Sequence, residues 1–153
     1  MDTSTLTPCT ALQGEDEEET LLLQSMLAEA RAYIRSFRWC PDISEEYLGF
    51  GIGKVFAVFH LRFVEPIDKM HEYLWVAVGD VPSAYFVIDN APNPKAAAVV
   101  YTQLMQDWIN AVLNKTSLDD VFPVKGSATI EMAQLLGSRV RFIRDKIIPM
   151  IDL

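Results

Sequence analysis

Side chains that carry out chemistry are scarce in this sequence. It has only two histidines and two cysteines among 153 residues. His60 and His71 stand in no His-Glu-x-x-His segment, and Cys9 and Cys40 stand in no Cys-x-x-Cys segment, so the common spacings of metal ligands are missing. Cysteines so few and so far apart are typical of reduced thiols in a cytoplasmic protein. We therefore predict no metal, no cofactor and a cytoplasmic location.

Long hydrophobic runs are missing as well. No apolar stretch reaches the ~18 residues that a membrane-spanning helix needs, and the first residues, Met1–Thr5, lack the basic start of a secretory signal. Hydrophobic residues nevertheless make up 50% of the chain, whose 153 residues are enough to bury one core. The Thr-rich start predicts a flexible arm over residues 1–13, followed by a single domain over residues 14–153.

Basic residues are fewer than acidic ones: the sequence has 13 Lys and Arg and 21 Asp and Glu, which gives a net charge of −8. Contacts with phosphate need Lys and Arg, so this balance disfavours nucleic acids and anionic membranes as partners. The acids include one run near the N-terminus: Glu15, Asp16, Glu17, Glu18 and Glu19. The run suits the first turns of a helix, where the helix dipole favours negative charge, and it also suits an acidic surface for a basic partner protein.

Apolar residues at three- and four-residue spacing predict three helices. The first extends from about residue 15 to residue 37, with an apolar face made of Leu23, Met26, Leu27, Ala30, Ile34 and Phe37. The second extends from about residue 94 to residue 113, after Ala91-Pro92-Asn93-Pro94. The third follows Thr129, a good N-cap, and is expected to bury Ala133, Leu136, Val140, Ile143 and Ile147.

Three strands are predicted between the first two helices, over residues 54–64, 72–78 and 84–89. The last two are joined by Gly79-Asp80-Val81-Pro82-Ser83, which is short enough for an antiparallel hairpin. We expect Ser44–Tyr47 to form a short helical turn and Gly49–Gly53 to form a glycine-rich turn or bulge at the sheet edge. The predicted fold is therefore α+β, with an N-terminal helix, a three-stranded antiparallel meander and two C-terminal helices.

The predicted sheet is apolar on both faces. Strand alternation places Trp75 and Tyr85 on one face, and Phe59 and Val76 on the other. Antiparallel sheets often leave one face in water, so either helices cover both faces here or one face is an interface. We expect cover within the chain, and the alternative includes a homodimer joined through the Trp75 and Tyr85 face.

Three residues are candidates for a reactive pocket. Cys40 is a candidate nucleophile with His60 as its base, and Asp80 is an acid placed between two apolar strands. Each also has an ordinary structural role, as an inert thiol at the edge of the core, a satisfied buried histidine and an aspartate that bonds turn amides. Sequence alone places no second acid opposite Asp80 for a paired-carboxylate hydrolase. We therefore assign no catalytic residue.

Several short segments form a recognisable set. They are Leu74–Val87, with its Gly79-Asp80-Val81-Pro82 turn, then Ala91-Pro92-Asn93-Pro94, Met105-x-x-Trp108, and upstream Trp39-Cys40-Pro41-Asp42-Ile43 with Gly49-x-Gly51-x-Gly53. Together they resemble a group of small uncharacterised bacterial proteins that share a strand–Gly-Asp-x-Pro–strand core, over about residues 33–150. The resemblance implies a bacterial, cytosolic origin. It implies no catalytic or binding residues, because the shared motif is structural.

Two classes of function remain open. The first is a non-enzymatic protein-binding module, such as a bacterial immunity protein or antitoxin-like inhibitor, that docks through the acidic run Glu15–Glu19 or through an apolar sheet face. The alternative is a small enzyme or ligand-binding protein with a pocket near Cys40, His60 and Asp80. Convergence of these three side chains in one concave site would favour the second class.

Overall fold

One antiparallel sheet lies between two helical layers in this protein, and the predicted α+β class is confirmed. A computed structural model describes residues 3–68, 71–87, 89 and 91–152. The strands are β1 Thr7–Pro8, β2 Ile43–Ile52, β3 Phe56–Phe63, β4 Tyr73–Gly79 and β5 Ala84–Val87. The long helices are α1 Glu17–Arg35, α2 Pro94–Leu113 and α3 Ile130–Phe142.

The sheet has five strands in the order β1-β2-β3-β4-β5, so the predicted three-stranded meander is corrected. The helical turn and glycine-rich turn expected over residues 44–53 are largely one strand, β2. Its pattern is hidden because Ser44, Glu45 and three glycines interrupt the apolar alternation. These residues are tolerated because β2 lies beside the two-residue β1 near the sheet edge, where its side chains are at most half-buried. The register of β2 on β3 shifts between Leu48 and Phe50.

The segment predicted as a flexible arm lies, from residue 3 onward, along the edge of the sheet. Its strand β1 pairs antiparallel with β2, and a 3-10 turn follows at Cys9–Ala11. Leu6 is buried in the core on one side of the sheet, and Leu12 is buried in the core on the other. Residues 1 and 2 lie outside the described residues.

Alternation along β3 and β4 sends side chains into two separate cores. Phe59 and Val76 face α1, and Phe56 and Trp75 face α2 and α3. The chain therefore covers both faces of its own sheet, as the sequence predicts. The third predicted strand is shorter than expected, because β5 ends at Val87. Residues 88 and 90 lie outside the described residues.

Each long helix begins at a capping side chain. Asp16, Asn93 and Thr129 each accept a hydrogen bond from the backbone N–H three residues further on, which satisfies one of the unpaired donors of the first turn. Short turns add to the three predicted helices, because α3 continues into a π-helical turn at Ile143–Ile147 and a 3-10 turn at Ile148–Met150.

Gly79 closes β4 in a backbone conformation that other residues rarely adopt, with φ at +146°. A Cβ at this position would lie 2.3 Å from the carbonyl oxygen of Val55. We expect Gly79→Ala to lower the free energy of unfolding by about 2 kcal/mol or more, because both the strain and the clash come from backbone. Urea denaturation measures the change.

Gly137→Ala is the matched control for Gly79→Ala. A Cβ at Gly137, inside α3, meets no atom within 4 Å. Alanine is the better helix former, so this variant is expected to be unchanged or up to ~1 kcal/mol more stable. Equal losses in the two variants would contradict the role assigned to Gly79.

Candidate functional site

A cleft of about 660 Å³ opens where α1 ends, beside the β4–β5 turn. Three separate segments form its walls: the last turn of α1 with the residues just after it, residues 82–85, and the connection between α2 and α3. We call it the aromatic cleft and define it by Tyr33, Phe37, Ser83, Tyr85, Phe122 and Lys125. Its four aromatic side chains are all half-buried.

Tyr85 is the ring at which the others meet. Its centroid lies 5.0 Å from that of Phe37, 5.2 Å from that of Trp39 and 5.7 Å from that of Phe122. Tyr33 packs edge-on against Phe37 at 5.3 Å. Pairs of this kind are each worth about 0.5–1.5 kcal/mol beyond the area they bury. The rings therefore hold one another in fixed positions around the cleft.

Tyr85 reaches the cleft through the register of β5. Val76 pairs with Tyr85 and Trp75 pairs with Phe86, so Tyr85 lies on the α1 side of the sheet and Trp75 lies on the α2 side. The predicted shared face of Trp75 and Tyr85 is wrong, because the β4–β5 connection shifts the alternation by one position. Trp75 is 0% exposed and its Nε1 donates to the Ala91 carbonyl oxygen at 2.8 Å. It therefore offers a dimer partner no surface.

The β4–β5 turn, which forms one rim of the cleft, is anchored from α2. The buried Tyr101 hydroxyl donates to the Pro82 carbonyl oxygen at 2.6 Å, and the Asp80 N–H donates to the Val55 carbonyl oxygen at 3.1 Å. Burial raises the pKa of Tyr101, so its hydroxyl keeps the proton that it donates. These bonds fix the position of Pro82 and the neighbouring Ser83.

The aromatic cleft is lined by one cation in an acidic protein. Lys125 is the charged residue of the described lining, and Arg35 and Arg38 lie at and just beyond the end of α1. Among the described residues, no carboxylate forms an ion pair with any of these three cations. Burial, with a smaller effect of Tyr85, raises the pKa of Tyr33, so this phenol remains neutral.

The acidic run predicted as a docking surface divides into two kinds of residue. Asp16 caps α1 by accepting from the Glu19 N–H at 2.8 Å, and Glu19 Oε1 accepts from the Gly53 N–H at 2.8 Å. Both acids therefore have structural partners. Glu15, Glu17 and Glu18 are exposed, at the opposite end of α1 from the aromatic cleft.

The three residues predicted for a reactive pocket lie apart. Cys40 packs against the α1 core, whereas His60 shares the other face of β3 with Phe56 by strand alternation. Asp80 follows the far end of β4, where Gly79 pairs with Phe56, about 13 Å along the strand from His60. The predicted common pocket of Cys40, His60 and Asp80 is therefore not formed.

Neither Cys40 nor Asp80 has the surroundings of a reactive group. The Cys40 thiol contacts the Pro41 carbonyl oxygen at 3.2 Å, and burial raises its pKa, which disfavours the nucleophilic thiolate. Asp80 is exposed and lies 3.3 Å from the Arg139 guanidinium. A surface ion pair of this kind contributes about 0–1 kcal/mol. Asp80 therefore acts as an ordinary turn residue with a surface partner.

His60 is a core residue. Its side chain is 0% exposed, and neither ring nitrogen has a hydrogen-bond partner among the described residues. Rings of Tyr73, Trp75 and Tyr47 surround it at centroid distances of 4.9, 5.1 and 6.0 Å. Burial lowers the pKa of His60 from 6.5 to about 4, so the imidazole is neutral at pH 7 and packs as an aromatic ring.

The burial of His60 makes the fold sensitive to acid. The unfolded chain binds this proton below pH 6.5, and the folded protein binds it only below about pH 4. The contribution of His60 is therefore fully present above pH 6.5, and about 3 kcal/mol of stability is lost between pH 6.5 and pH 4. We expect His60→Phe to remove this part of the slope in urea unfolding measured across that range. A variant with the wild-type slope would refute the assignment.

His71 forms an ion cluster at the surface. Its Nδ1 lies 2.8 Å from Asp68 Oδ2 and its Nε2 lies 2.9 Å from Asp89 Oδ2. The hydrogen bonds to Asp89 and Asp68 raise the pKa of His71. Only the protonated imidazole donates from both nitrogens, and in that form it has no lone pair for a metal. The cluster ties the β3–β4 connection to the residues after β5.

Two further properties of the described residues limit the possible functions. No group of three or more His, Cys, Asp or Glu side chains within them is arranged to hold a metal ion. Among the helices described, none combines the length and the apolar character that crossing a bilayer requires.

A second apolar surface runs along α3. Met132, Leu135 and Phe142 are 41%, 46% and 50% exposed, and their spacing places them on one helical face. We call these three residues the α3 stripe. A cleft of about 250 Å³ lies beside Phe142, with Asp80 and Arg139 on its wall.

Comparison with known proteins gives no relative: no protein-family model, no curated protein and no solved structure matches the chain. The resemblance to a group of bacterial proteins stays a prediction. The evidence for a function is therefore the geometry of the chain itself.

Most of the aromatic cleft escapes the sequence analysis, which singles out only Tyr85 among its rings. One signal is present: Tyr33 and Phe37 are four residues apart, so they share a helical face. Nothing in the sequence brings them close to Phe122, which packs against the α2–α3 core and meets the other rings through its contact with Tyr85.

Proposed function

We propose that this protein is a non-enzymatic binding protein that holds a small, mostly apolar ligand in the aromatic cleft. One observation carries the proposal: half-buried aromatic rings from three separate segments converge on a cleft of about 660 Å³. Small-molecule sites typically measure ~300–1,000 Å³ and are mostly apolar, with a few polar groups that orient the ligand. The aromatic cleft has this size and this composition.

The lining favours binding over catalysis. Apart from the hydroxyls of Tyr33 and Tyr85, its polar side chains are Ser36, Ser83 and Lys125. The described lining holds no histidine or carboxylate to activate a serine. Ser36 is further occupied, because its hydroxyl donates to the Tyr33 carbonyl oxygen at 2.6 Å. A hydroxyl without a base is a weak nucleophile.

A neutral planar probe, 2-naphthamide, tests the ligand site. We expect it to bind the wild-type protein, and we expect Phe122→Ala to weaken binding by about 2- to 10-fold, because one aromatic contact is worth ~0.5–1.5 kcal/mol. Phe122 is half-buried on a connecting segment and packs against the edge of the α2–α3 core, so equal urea midpoints of the variant and the wild type are needed to show that the fold is intact. Isothermal titration calorimetry measures the affinities.

Phe142→Ala is the matched control, because Phe142 is a half-exposed phenylalanine outside the aromatic cleft. Its affinity for 2-naphthamide is expected to equal that of the wild type. The proposal fails if the wild-type protein does not bind the probe at millimolar concentration, or if both variants lose affinity equally.

The α3 stripe favours a second candidate function, the docking of a partner protein. Met132, Leu135 and Phe142 form an exposed apolar face with Arg139 beside them, a composition typical of binding hot spots. The inhibitor function predicted from the sequence would then use α3 in place of the acidic run, in which Asp16 already caps α1.

Capture of a partner from the cell lysate by matched variants tests this second candidate. We expect Leu135→Lys with Phe142→Lys to reduce capture at least 10-fold, because both changes place charge inside an apolar contact. Leu21→Lys, at an exposed leucine of α1, is the control and should retain the partner. Loss with Glu17→Lys and Glu18→Lys instead would move docking to the acidic run.

A further inference from the structure

The charges around the aromatic cleft indicate which ligands it selects. We infer that the cleft binds a small planar aromatic molecule that carries one negative charge, with its ring among Phe37, Tyr85 and Phe122 and its anionic group beside Lys125. This inference rests on the proposed function and adds the chemical class of the ligand.

The arrangement of the rings suits a flat aromatic ligand. Phe37 and Trp39 are stacked, with planes 24° apart, and Tyr85 crosses the Phe37 plane at 70°. Phe122 meets Tyr85 edge-on at an angle of 77°. The cluster thus presents both ring faces and ring edges. A flat aromatic ligand makes offset-stacked and edge-to-face contacts with such a set, and each contact adds to the area that it buries.

The charge at the cleft suits an anionic group on the ligand. Lys125 lines the cleft, and no carboxylate among the described residues forms an ion pair with it. The acids nearest to it in sequence, Asp119 and Asp120, are not part of the lining. Arg35 and Arg38 add two further cations near the end of α1. An anion in the cleft would therefore meet unpaired positive charge.

The acidic run lies far from the aromatic cleft. The run Glu15–Glu19 lies at the start of α1, and the cleft lies at its end, about 27 Å away for a helix of this length. The Debye length in physiological salt is ~8 Å, so these acids are largely screened at the cleft. These five acids therefore do not repel an anion from this site.

The expected preference of the cleft for an anionic ligand over a neutral one is modest. Lys125 is exposed, and exposed ion pairs correspond to at most about fivefold in affinity. The rings therefore supply most of the affinity and the lysine supplies the selectivity.

Three probes of one shape measure the preference: 2-naphthoate, 2-naphthamide and 2-naphthamidine carry charges of −1, 0 and +1 on the same rings. Calorimetry with the full chain is expected to give the tightest binding for the naphthoate, about three- to fivefold tighter than for the amide, and the weakest binding for the amidine. The preference should shrink as salt concentration rises.

Lys125→Gln is expected to remove the preference, so that 2-naphthoate and 2-naphthamide bind this variant with equal affinity. Lys115→Gln is the control, because Lys115 is an exposed lysine of the same connection that does not line the cleft. This control should keep the wild-type order of affinities. Loss of the preference in both variants would overturn the assignment to Lys125.

The remaining outcomes separate the two proposals. Equal affinity for all three probes would overturn the charge inference and leave the ligand site standing, whereas no binding of any probe would overturn both. A short peptide that ends in phenylalanine presents an aromatic ring and a carboxylate in the way that the C-terminus of a protein would. Binding of that peptide without binding of 2-naphthoate would replace the small molecule by a chain terminus and overturn the inference.

Discussion

The burial of β3 and β4 on both faces is the constraint on which the rest of the structure depends. Every residue of β3 except Arg62 and every residue of β4 except Tyr73 and Gly79 is buried, and fully burying one large apolar side chain contributes roughly 1.5–3 kcal/mol. Helices therefore cover both sides: α1, before the sheet, covers one face, and the helices after the sheet cover the other. The C-terminal helices lie opposite α1, and Phe122 in the connection between them packs both against their core and against Tyr85, whose ring lies with the α1 core. The aromatic cleft thus follows from the way the chain covers its sheet.

Local patterns predict the elements that bury a regular apolar stripe. The helices and the strands β3 to β5 show such stripes, and the caps Asn93 and Thr129 mark two helix starts. The strand β2 escapes prediction because it lies near the sheet edge, where Glu45 and Gly49 cost little. The predicted face of Tyr85 is wrong for a different reason. Alternation holds within one strand, and a turn between two strands can shift it by one position.

The site is less predictable than the fold because it is built from long-range contacts. Chemical type alone groups Cys40, His60 and Asp80, yet the register separates His60 from Asp80 along the sheet and Cys40 packs on the other face from His60. The rings that do converge are apolar residues, which sequence patterns assign to the core by default. Only the closure of three segments around Tyr85 separates a ligand cleft from ordinary packing.

The energetics of the exposed rings give a reason to regard the cleft as functional. Burial of apolar surface contributes ~25 cal/mol per Å², so a half-buried aromatic side chain contributes less to stability than a fully buried one. Several rings of the cleft are half-buried in this way, although the neighbouring core buries Trp75 and Tyr101 completely. The ring pairs offset part of this loss on folding, and a bound ligand would recover the remaining area. Because the rings already pack against one another, binding requires little ordering of side chains, which lowers its entropic cost. The charge of α1 acts in the same direction. Acids near its start and Arg35 in its last turn each suit the helix dipole, so the interactions that stabilise the helix also keep its acidic run at the end far from the cleft.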